Sequence, residues 1–119
     1  MNKKILICDD DPGILDMLAM ILEDVGFEIV AEINSLNVYK VIQTEKPDLL
    51  LLDLWMPVLS GDQVLKTLRI DAEKKYLPVI VISASMEGKD IAIEAGANDF
   101  LAKPFDLDLL VNKVQSLLN

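Results

Sequence analysis

The chain contains five short apolar runs, and longer segments of mixed polarity separate them. Short runs that are rich in Val, Ile and Leu are typical of strands covered on both faces, as in a parallel sheet. The second run is interrupted by Glu28 and Glu32, which indicates a strand nearer the edge of the sheet. The predicted strands are residues 5–8, 27–33, 49–53, 79–82 and 100–102.

In the segments between these runs, apolar residues recur at the spacing of amphipathic helices. The first helix is predicted from Pro12, with Asp11 as its N-cap, to Val25, and Gly26 should end it. Asn34 or Ser35 can cap the second. The remaining predicted helices cover residues 36–45, 64–70 after a loop at 57–61, 88–96, and a last one from residue 107 that Asp106 caps.

Alternation of strands and helices predicts a parallel sheet with right-handed crossovers and helices on both faces. The expected fold class is therefore α/β, a doubly wound five-stranded sheet. A chain of 119 residues fits one domain, residues 1–119, and leaves no room for a second core.

The net charge of −9 would repel a phosphate backbone, so direct nucleic-acid binding by this chain is not expected. Apolar stretches are too short to span a membrane, and we expect a cytoplasmic protein. Histidine is absent, which excludes histidine-based catalysis and histidine metal ligands. The single cysteine, Cys8, lies in the first apolar run and is interpreted as a core residue.

Polar residues stand at the ends of four of the five predicted strands. Asp9 and Asp10 follow the first, Asp53 ends the third, Ser83 follows the fourth and Lys103 follows the fifth. Taken singly, each has an ordinary structural interpretation as a cap, a turn residue or a solvated side chain. The carboxyl ends of parallel strands share one edge, however, and ligands bind there in open α/β sheets. We therefore expect these five side chains to converge in one pocket.

Three clustered carboxylates repel one another, so the pocket predicts a divalent cation. An all-oxygen ligand set favours Mg²⁺, and Mn²⁺ could substitute for it. A carboxylate beside Mg²⁺ can attack phosphorus, while an ammonium group and a hydroxyl bind the other phosphoryl oxygens. Asp53, Lys103 and Ser83 match these three roles.

Five motifs are spread over essentially the whole chain. They are Ile-Leu-Ile-Cys-Asp-Asp-Asp-Pro at 5–12, Asp-Leu-Trp-Met-Pro at 53–57 with Gly61, Val-Ile-Val-Ile-Ser-Ala at 79–84, Ala-Gly-Ala at 95–97 and Phe-Leu-Ala-Lys-Pro-Phe at 100–105. Through these motifs the chain resembles receiver domains of bacterial two-component response regulators. This resemblance implies a flavodoxin-like fold with strand order 2-1-3-4-5.

The resemblance also implies the function of the acidic pocket. Asp53 is expected to accept a phosphoryl group from a phosphohistidine on a sensor histidine kinase or a histidine phosphotransfer protein. Asp10 is expected to bind Mg²⁺ directly and Asp9 mostly through water, and Asp53 and the backbone carbonyl of Trp55 complete the protein's ligands. Such a protein modifies only itself and is not expected to be an enzyme in the usual sense.

Ser83 and Phe100 resemble the switch pair of such domains, in which the hydroxyl moves to the phosphoryl group and the ring turns inward. The surface around the fourth helix and fifth strand then changes and binds a downstream protein target. The peptide bond between Lys103 and Pro104 is expected to be cis. Phe100 lacks a phenolic hydroxyl, so the ring itself cannot donate a hydrogen bond.

Two positions of this chain should tune the lifetime of the phosphoryl group. In similar proteins they are variable, and here Trp55 and Ser85 occupy them. A bulky indole at position 55 should obstruct the attacking water, which predicts slow self-dephosphorylation.

Other functions are compatible with parts of the sequence. A haloacid-dehalogenase-like phosphatase would need a second aspartate where Trp55 stands, and a flavin-binding module would place the flavin phosphate against three aspartates. A receiver-like adaptor that is never phosphorylated is the remaining alternative, although no residue of the expected site is missing. The expected state is a monomer or a weak homodimer that uses the fourth helix, fifth strand and fifth helix.

Overall fold

A computed structural model describes residues 2–118 of the chain. Within them, strands and helices alternate from end to end, as the apolar pattern predicts. The strands are β1 (Lys4–Cys8), β2 (Glu28–Glu32), β3 (Leu49–Asp53), β4 (Val79–Ser83) and β5 (Asp99–Ala102). The α-helices are α1 (Pro12–Val25), α2 (Val38–Glu45), α3 (Gly61–Ile70), α4 (Gly88–Ala95) and α5 (Leu107–Leu118).

The five strands form one parallel sheet in the order β2-β1-β3-β4-β5. This is the flavodoxin-like order that the resemblance implies, and β2 lies at an edge as its two glutamates indicated. β3 lies at the centre, where Leu51 pairs with Ile7 on one side and Ile80 on the other. The central strand therefore delivers Asp53 to the middle of the carboxyl edge.

Helices cover both faces of the sheet, because alternate side chains of each central strand point to opposite faces. On one face, Leu50 and Leu52 pack with α2, α3 and α4. On the other, Leu49 and Leu51 pack with α1 and α5. All four leucines are fully buried, so we expect truncation of any of them to alanine to cost about 2–5 kcal/mol.

The predicted caps are present at the helix ends. The Asp11 carboxylate accepts hydrogen bonds from the backbone N–H groups of Gly13 and Ile14, and Gly26 ends α1 in the left-handed region at φ 112°. At α5, the Asp106 carboxylate accepts from the backbone N–H of Asp108 and Leu109.

Two element boundaries differ from the sequence prediction by more than one residue. The segment predicted as one helix over 36–45 begins instead with a 3₁₀ turn, Ser35–Asn37, which the Asn34 side chain caps. Helix α3 begins at Gly61, which the sequence pattern had assigned to the preceding loop. Gly61 belongs to the helix because its N–H donates to the Leu54 carbonyl at 2.8 Å, which joins the helix start directly to the end of β3.

No helix within residues 2–118 combines the length and apolarity needed to cross a bilayer.

Candidate functional site

The sheet brings the predicted site residues together at its carboxyl edge. The carboxylates of Asp9, Asp10 and Asp53 each offer an oxygen, and these oxygens all lie within 4.8 Å of one another. Lys103 reaches into the same cluster, with Nζ 2.9 Å from Asp9 Oδ2 and 3.3 Å from Asp53 Oδ1. The predicted convergence of the acids and the lysine is thus found in the structure.

The three carboxylates differ in their access to solvent. Asp9 is 1% exposed and Asp53 is 5% exposed, whereas Asp10 lies at the exposed rim. Asp9 is also fixed by its own loop, because Asp9 Oδ1 accepts a hydrogen bond from the backbone N–H of Asp11 at 3.0 Å. A ligand that enters from solvent therefore meets Asp10 first and the two buried carboxylates behind it.

The electrostatics of the pocket favour a bound cation. Burial and the neighbouring Asp9 raise the pKa of Asp53 from 3.8 to about 6, even though Lys103 opposes this shift. Burial tends to lower the pKa of Lys103, but its hydrogen bond to Asp9 and its attraction to Asp53 outweigh burial and raise it. One ammonium group is thus too little positive charge for this cluster, and an oxygen-only donor set of this kind suits Mg²⁺ or Mn²⁺.

Ser83 is the last residue of β4, the strand that pairs with β3, and is fully buried. Its Oγ accepts a hydrogen bond from the backbone N–H of Ser85 at 3.2 Å. Its carbonyl oxygen accepts from the backbone N–H of Lys103 at 2.7 Å, so β4 also positions the lysine. The peptide bond between Lys103 and Pro104 is cis, as the resemblance implied.

The other predicted site residues surround this centre at different depths. Phe100 is 7% exposed and packs with the core beneath α4, so its ring already occupies an inward position. Trp55 is 51% exposed in the loop after β3. The Ser85 hydroxyl accepts from the backbone N–H of Glu87 and thereby shapes the turn that leads into α4.

Cys8 belongs to the core and not to the site's chemistry. Its side chain is buried at the end of β1, where burial and then the negative charge of Glu32 raise its pKa to about 12. The thiol is therefore protonated at neutral pH and is not a nucleophile.

Two glycines contribute to the site in a way that sequence reasoning missed. A Cβ on Gly61 would collide with the Asp53 carbonyl oxygen, and a Cβ on Gly88 would press on Leu54 and Ser83. Neither has a positive φ, so the reason for glycine is close approach and not backbone conformation. Gly61 stands among the motifs that carry the resemblance and Gly88 begins a predicted helix, but neither signal indicates a close approach.

Comparison with known proteins agrees with this fold. Residues 5–115 match the family model described as the response regulator receiver domain. The chain is 36% identical to the alkaline phosphatase synthesis transcriptional regulatory protein PhoP of Bacillus subtilis, over 99% of this chain and 49% of that protein. It is also 36% identical to the phosphate regulon transcriptional regulatory protein PhoB of Pseudomonas aeruginosa, over 99% of this chain and 52% of that protein.

Solved structures give the same result for the fold. The chemotaxis response regulator CheY4 of Vibrio cholerae superposes with a TM-score of 0.91 at 27% identity, covering 99% of this chain and 100% of that one. The receiver domain of the Francisella response regulator 1452 superposes with a TM-score of 0.89 at 33% identity, covering 98% of this chain and 97% of that one.

Fold and site together thus define a class of protein, a doubly wound α/β domain with an acidic pocket at the carboxyl edge of its sheet. The chain belongs to the response regulator receiver domain family, whose members act in two-component systems together with histidine kinases. It spans about half the length of the curated relatives that it matches.

Proposed function

We propose that Asp53 accepts a phosphoryl group from a phosphohistidine on a partner kinase or phosphotransfer protein, in a reaction that requires Mg²⁺. The observation that carries this proposal is the cluster of three carboxylate oxygens within 4.8 Å of one another, with the Lys103 ammonium in contact with two of the carboxylates. A structural cap or turn does not need this concentration of charge.

The chain's own residues supply the parts of the transfer. An Asp53 carboxylate oxygen forms the bond to phosphorus while the bond from phosphorus to the donor's imidazole nitrogen breaks. Lys103 binds a phosphoryl oxygen through its ammonium group. The Ser83 hydroxyl accepts from Ser85, which leaves its own hydrogen free to donate to a second oxygen.

The metal would be held by Asp9, Asp10, Asp53 and the backbone carbonyl of Trp55. When bound, Mg²⁺ neutralises charge on the phosphoryl oxygens and favours the ionised form of Asp53. Mn²⁺ has the same preference for oxygen ligands and would replace it. On this proposal, the chain catalyses only its own phosphorylation and dephosphorylation.

An apolar groove borders the pocket and suits a helix of the phosphohistidine donor. It has a volume of about 450 Å³ and runs beside Lys103, between α1 and the loop that leads to α5. A donor seated there would present its phosphohistidine at the edge of the sheet where Asp53 lies. The residues that line it are Ile14, Met17, Lys103, Pro104, Phe105 and Leu107.

The output of the proposed switch is a change in the surface around α4 and β5 that a downstream protein target binds. Ser83 and Phe100 are its switch pair, and Trp55 and Ser85 set the lifetime of the phosphoryl group. The net charge of −9 favours binding to proteins over binding to nucleic acid. On this proposal the chain acts in the cytoplasm as a monomer or a weak homodimer.

Incubation with Mg²⁺ and acetyl phosphate, followed by intact-mass measurement, tests the acceptor. The parent should gain one phosphoryl group, and Asp53→Asn should gain none. Asp24→Asn is a matched control, because Asp24 is an exposed carboxylate near the end of α1, and it should react like the parent. Equal phosphorylation of Asp53→Asn, or none of the parent, would contradict the proposal.

A further inference from the structure

Four polar or charged side chains are buried in the described part of the chain, and the proposed mechanism uses only three of them. Asp9, Asp53 and Ser83 belong to the pocket, and the fourth is Ser35, which is 4% exposed. A buried hydroxyl group needs a hydrogen-bond partner. Ser35 Oγ donates to the backbone carbonyl of Pro57 at 3.3 Å, so this fourth residue contacts the loop that follows β3.

The donor side of this hydrogen bond is held by its own turn. Ser35 begins the 3₁₀ turn before α2, and the Asn34 side chain caps this turn by accepting from the backbone N–H of Leu36 at 3.0 Å. The Asn34 carbonyl accepts from the backbone N–H of Asn37 at 3.0 Å. The Ser35 carbonyl accepts from the N–H of Val38, the first residue of α2. The Ser35 hydroxyl therefore projects from a well-fixed backbone.

The acceptor side is a strained turn in the loop between β3 and α3. Leu59 N–H donates to the Pro57 carbonyl at 2.8 Å, and Val58 between them has φ 71°. This arrangement is a γ-turn with a positive φ at its centre, which is rare and persists only where the surrounding structure holds it. Val58 is 83% exposed, so its own side chain contributes little to holding the turn. The hydrogen bond from Ser35 to Pro57 is therefore well placed to hold it.

The same loop fixes the position of Trp55. Leu54 is fully buried and Met56 is 7% exposed, whereas Trp55 between them is 51% exposed. Cys8 Sγ lies 3.5 Å from Met56 Sδ, so the methionine is held in the core. With its neighbours buried and the chain tied at Pro57, the loop keeps Trp55 on the outer side of the site.

We propose that Ser35 is a positioning residue that holds residues 55–59 in place and thereby keeps the Trp55 indole in the path of the water that attacks the phosphoryl group. This inference rests on the proposed function, because the lifetime of the phosphoryl group on Asp53 is one of its readouts. Hydrolysis passes through molecules in which the loop has opened, so its rate follows the opening equilibrium. Loss of one neutral hydrogen bond should raise the open fraction about threefold.

Hydrogen exchange measured by NMR tests the tether without any phosphorylation. The reporter is the amide of Leu59, which is bonded to the Pro57 carbonyl. In Ser35→Ala its exchange should accelerate about threefold, while the amides of β3 keep the parent's rates. Thr44→Ala is the matched control, because the exposed Thr44 hydroxyl donates to the Lys40 carbonyl within α2, and it should leave Leu59 unchanged. Unchanged Leu59 exchange in Ser35→Ala would overturn the proposal.

The lifetime of the phosphoryl group tests the consequence for the site. After reaction with acetyl phosphate and Mg²⁺ and removal of the donor, intact mass should show a half-life about threefold shorter in Ser35→Ala than in the parent. In the Trp55→Ala background, the same substitution should leave the half-life unchanged, because no indole remains to be displaced. Equal shortening in both backgrounds would indicate a purely structural role and would overturn the positioning role.

The two measurements separate this inference from the proposed function. A parent that gains no phosphoryl group contradicts the phosphoacceptor role, and Leu59 exchange still decides whether Ser35 holds the loop. A parent that is phosphorylated, together with Ser35→Ala that matches it in exchange and in half-life, overturns the inference alone. Circular dichroism confirms that each variant is folded.

Discussion

Replacing Asp53 by asparagine should stabilise the metal-free protein at neutral and alkaline pH. The pKa of Asp53 rises from 3.8 to about 6 on folding, because of burial first and the charge of Asp9 second. A difference of about two units corresponds to roughly 3 kcal/mol of unfavourable free energy for the ionised form. Asparagine has a similar shape and no charge, so it removes this penalty, although it also loses the attraction to Lys103.

The pH dependence follows from the direction of the shift. Since the folded pKa is the higher one, the folded state binds the proton more tightly, and the contribution to stability is full below pH 3.8 and is lost as pH rises through about 6. Relative to Asp53→Asn, the free energy of unfolding of the parent should therefore rise by about 1.4 kcal/mol as the pH falls from about 8 to about 5.

Urea denaturation followed by circular dichroism, in EDTA and at several pH values, measures this difference. The exposed-carboxylate variant Asp24→Asn should track the parent at every pH. Saturating Mg²⁺ should stabilise the parent more than Asp53→Asn, because a metal that binds only the folded state adds to its stability. A difference between parent and Asp53→Asn that is flat, or that falls as the pH is lowered, would refute the reasoning.

Three further predictions concern the loops and groove around the site. Val58 is β-branched, has φ 71° and is 83% exposed. Asparagine tolerates this left-handed conformation better than valine, so Val58→Asn should raise the free energy of unfolding by about 1 kcal/mol. A loss of stability in urea denaturation would contradict this. Trp55→Ala should shorten the phosphoryl half-life about tenfold by admitting water, measured by intact mass after donor removal, and a half-life of seconds in the parent would already refute the obstruction. Met17→Lys should slow phosphorylation by a phosphohistidine partner about tenfold while leaving the rate with acetyl phosphate unchanged, and equal slowing with both donors would count against docking in the groove.

The apolar pattern predicts most of the fold because the information is local. Runs such as residues 49–52 are buried on both faces, and parallel strands place their carboxyl ends together whatever the sequence distance. That single rule is enough to bring Lys103 to Asp9 and Asp53. The strand order itself came from the resemblance, since apolar runs alone do not say which strands are neighbours.

The sequence pattern does not predict features that depend on close contacts between distant segments in the folded protein. Gly61 was interpreted as a turn residue, yet it begins α3 because the helix end contacts the Asp53 carbonyl. The sequence pattern assigns no role to Arg69, because its four hydrogen bonds reach segments whose positions only the fold defines. The raised pKa of Asp53 likewise depends on burial, which a list of charges does not contain.

The charge of the pocket supports the proposed switch at this edge of the sheet. Three carboxylates and the Lys103 ammonium leave two net negative charges in a largely buried space, and one divalent cation would cancel them. Phosphorylation of Asp53 replaces a singly charged group by one of about two negative charges, so new hydrogen-bond donors are needed nearby. The Ser83 hydroxyl is a buried donor at the end of β4, the strand that pairs with β3. On the proposed function, the charge added at Asp53 would therefore draw this hydroxyl hydrogen toward the phosphoryl oxygens, and Ser83 is the residue through which β4 would respond.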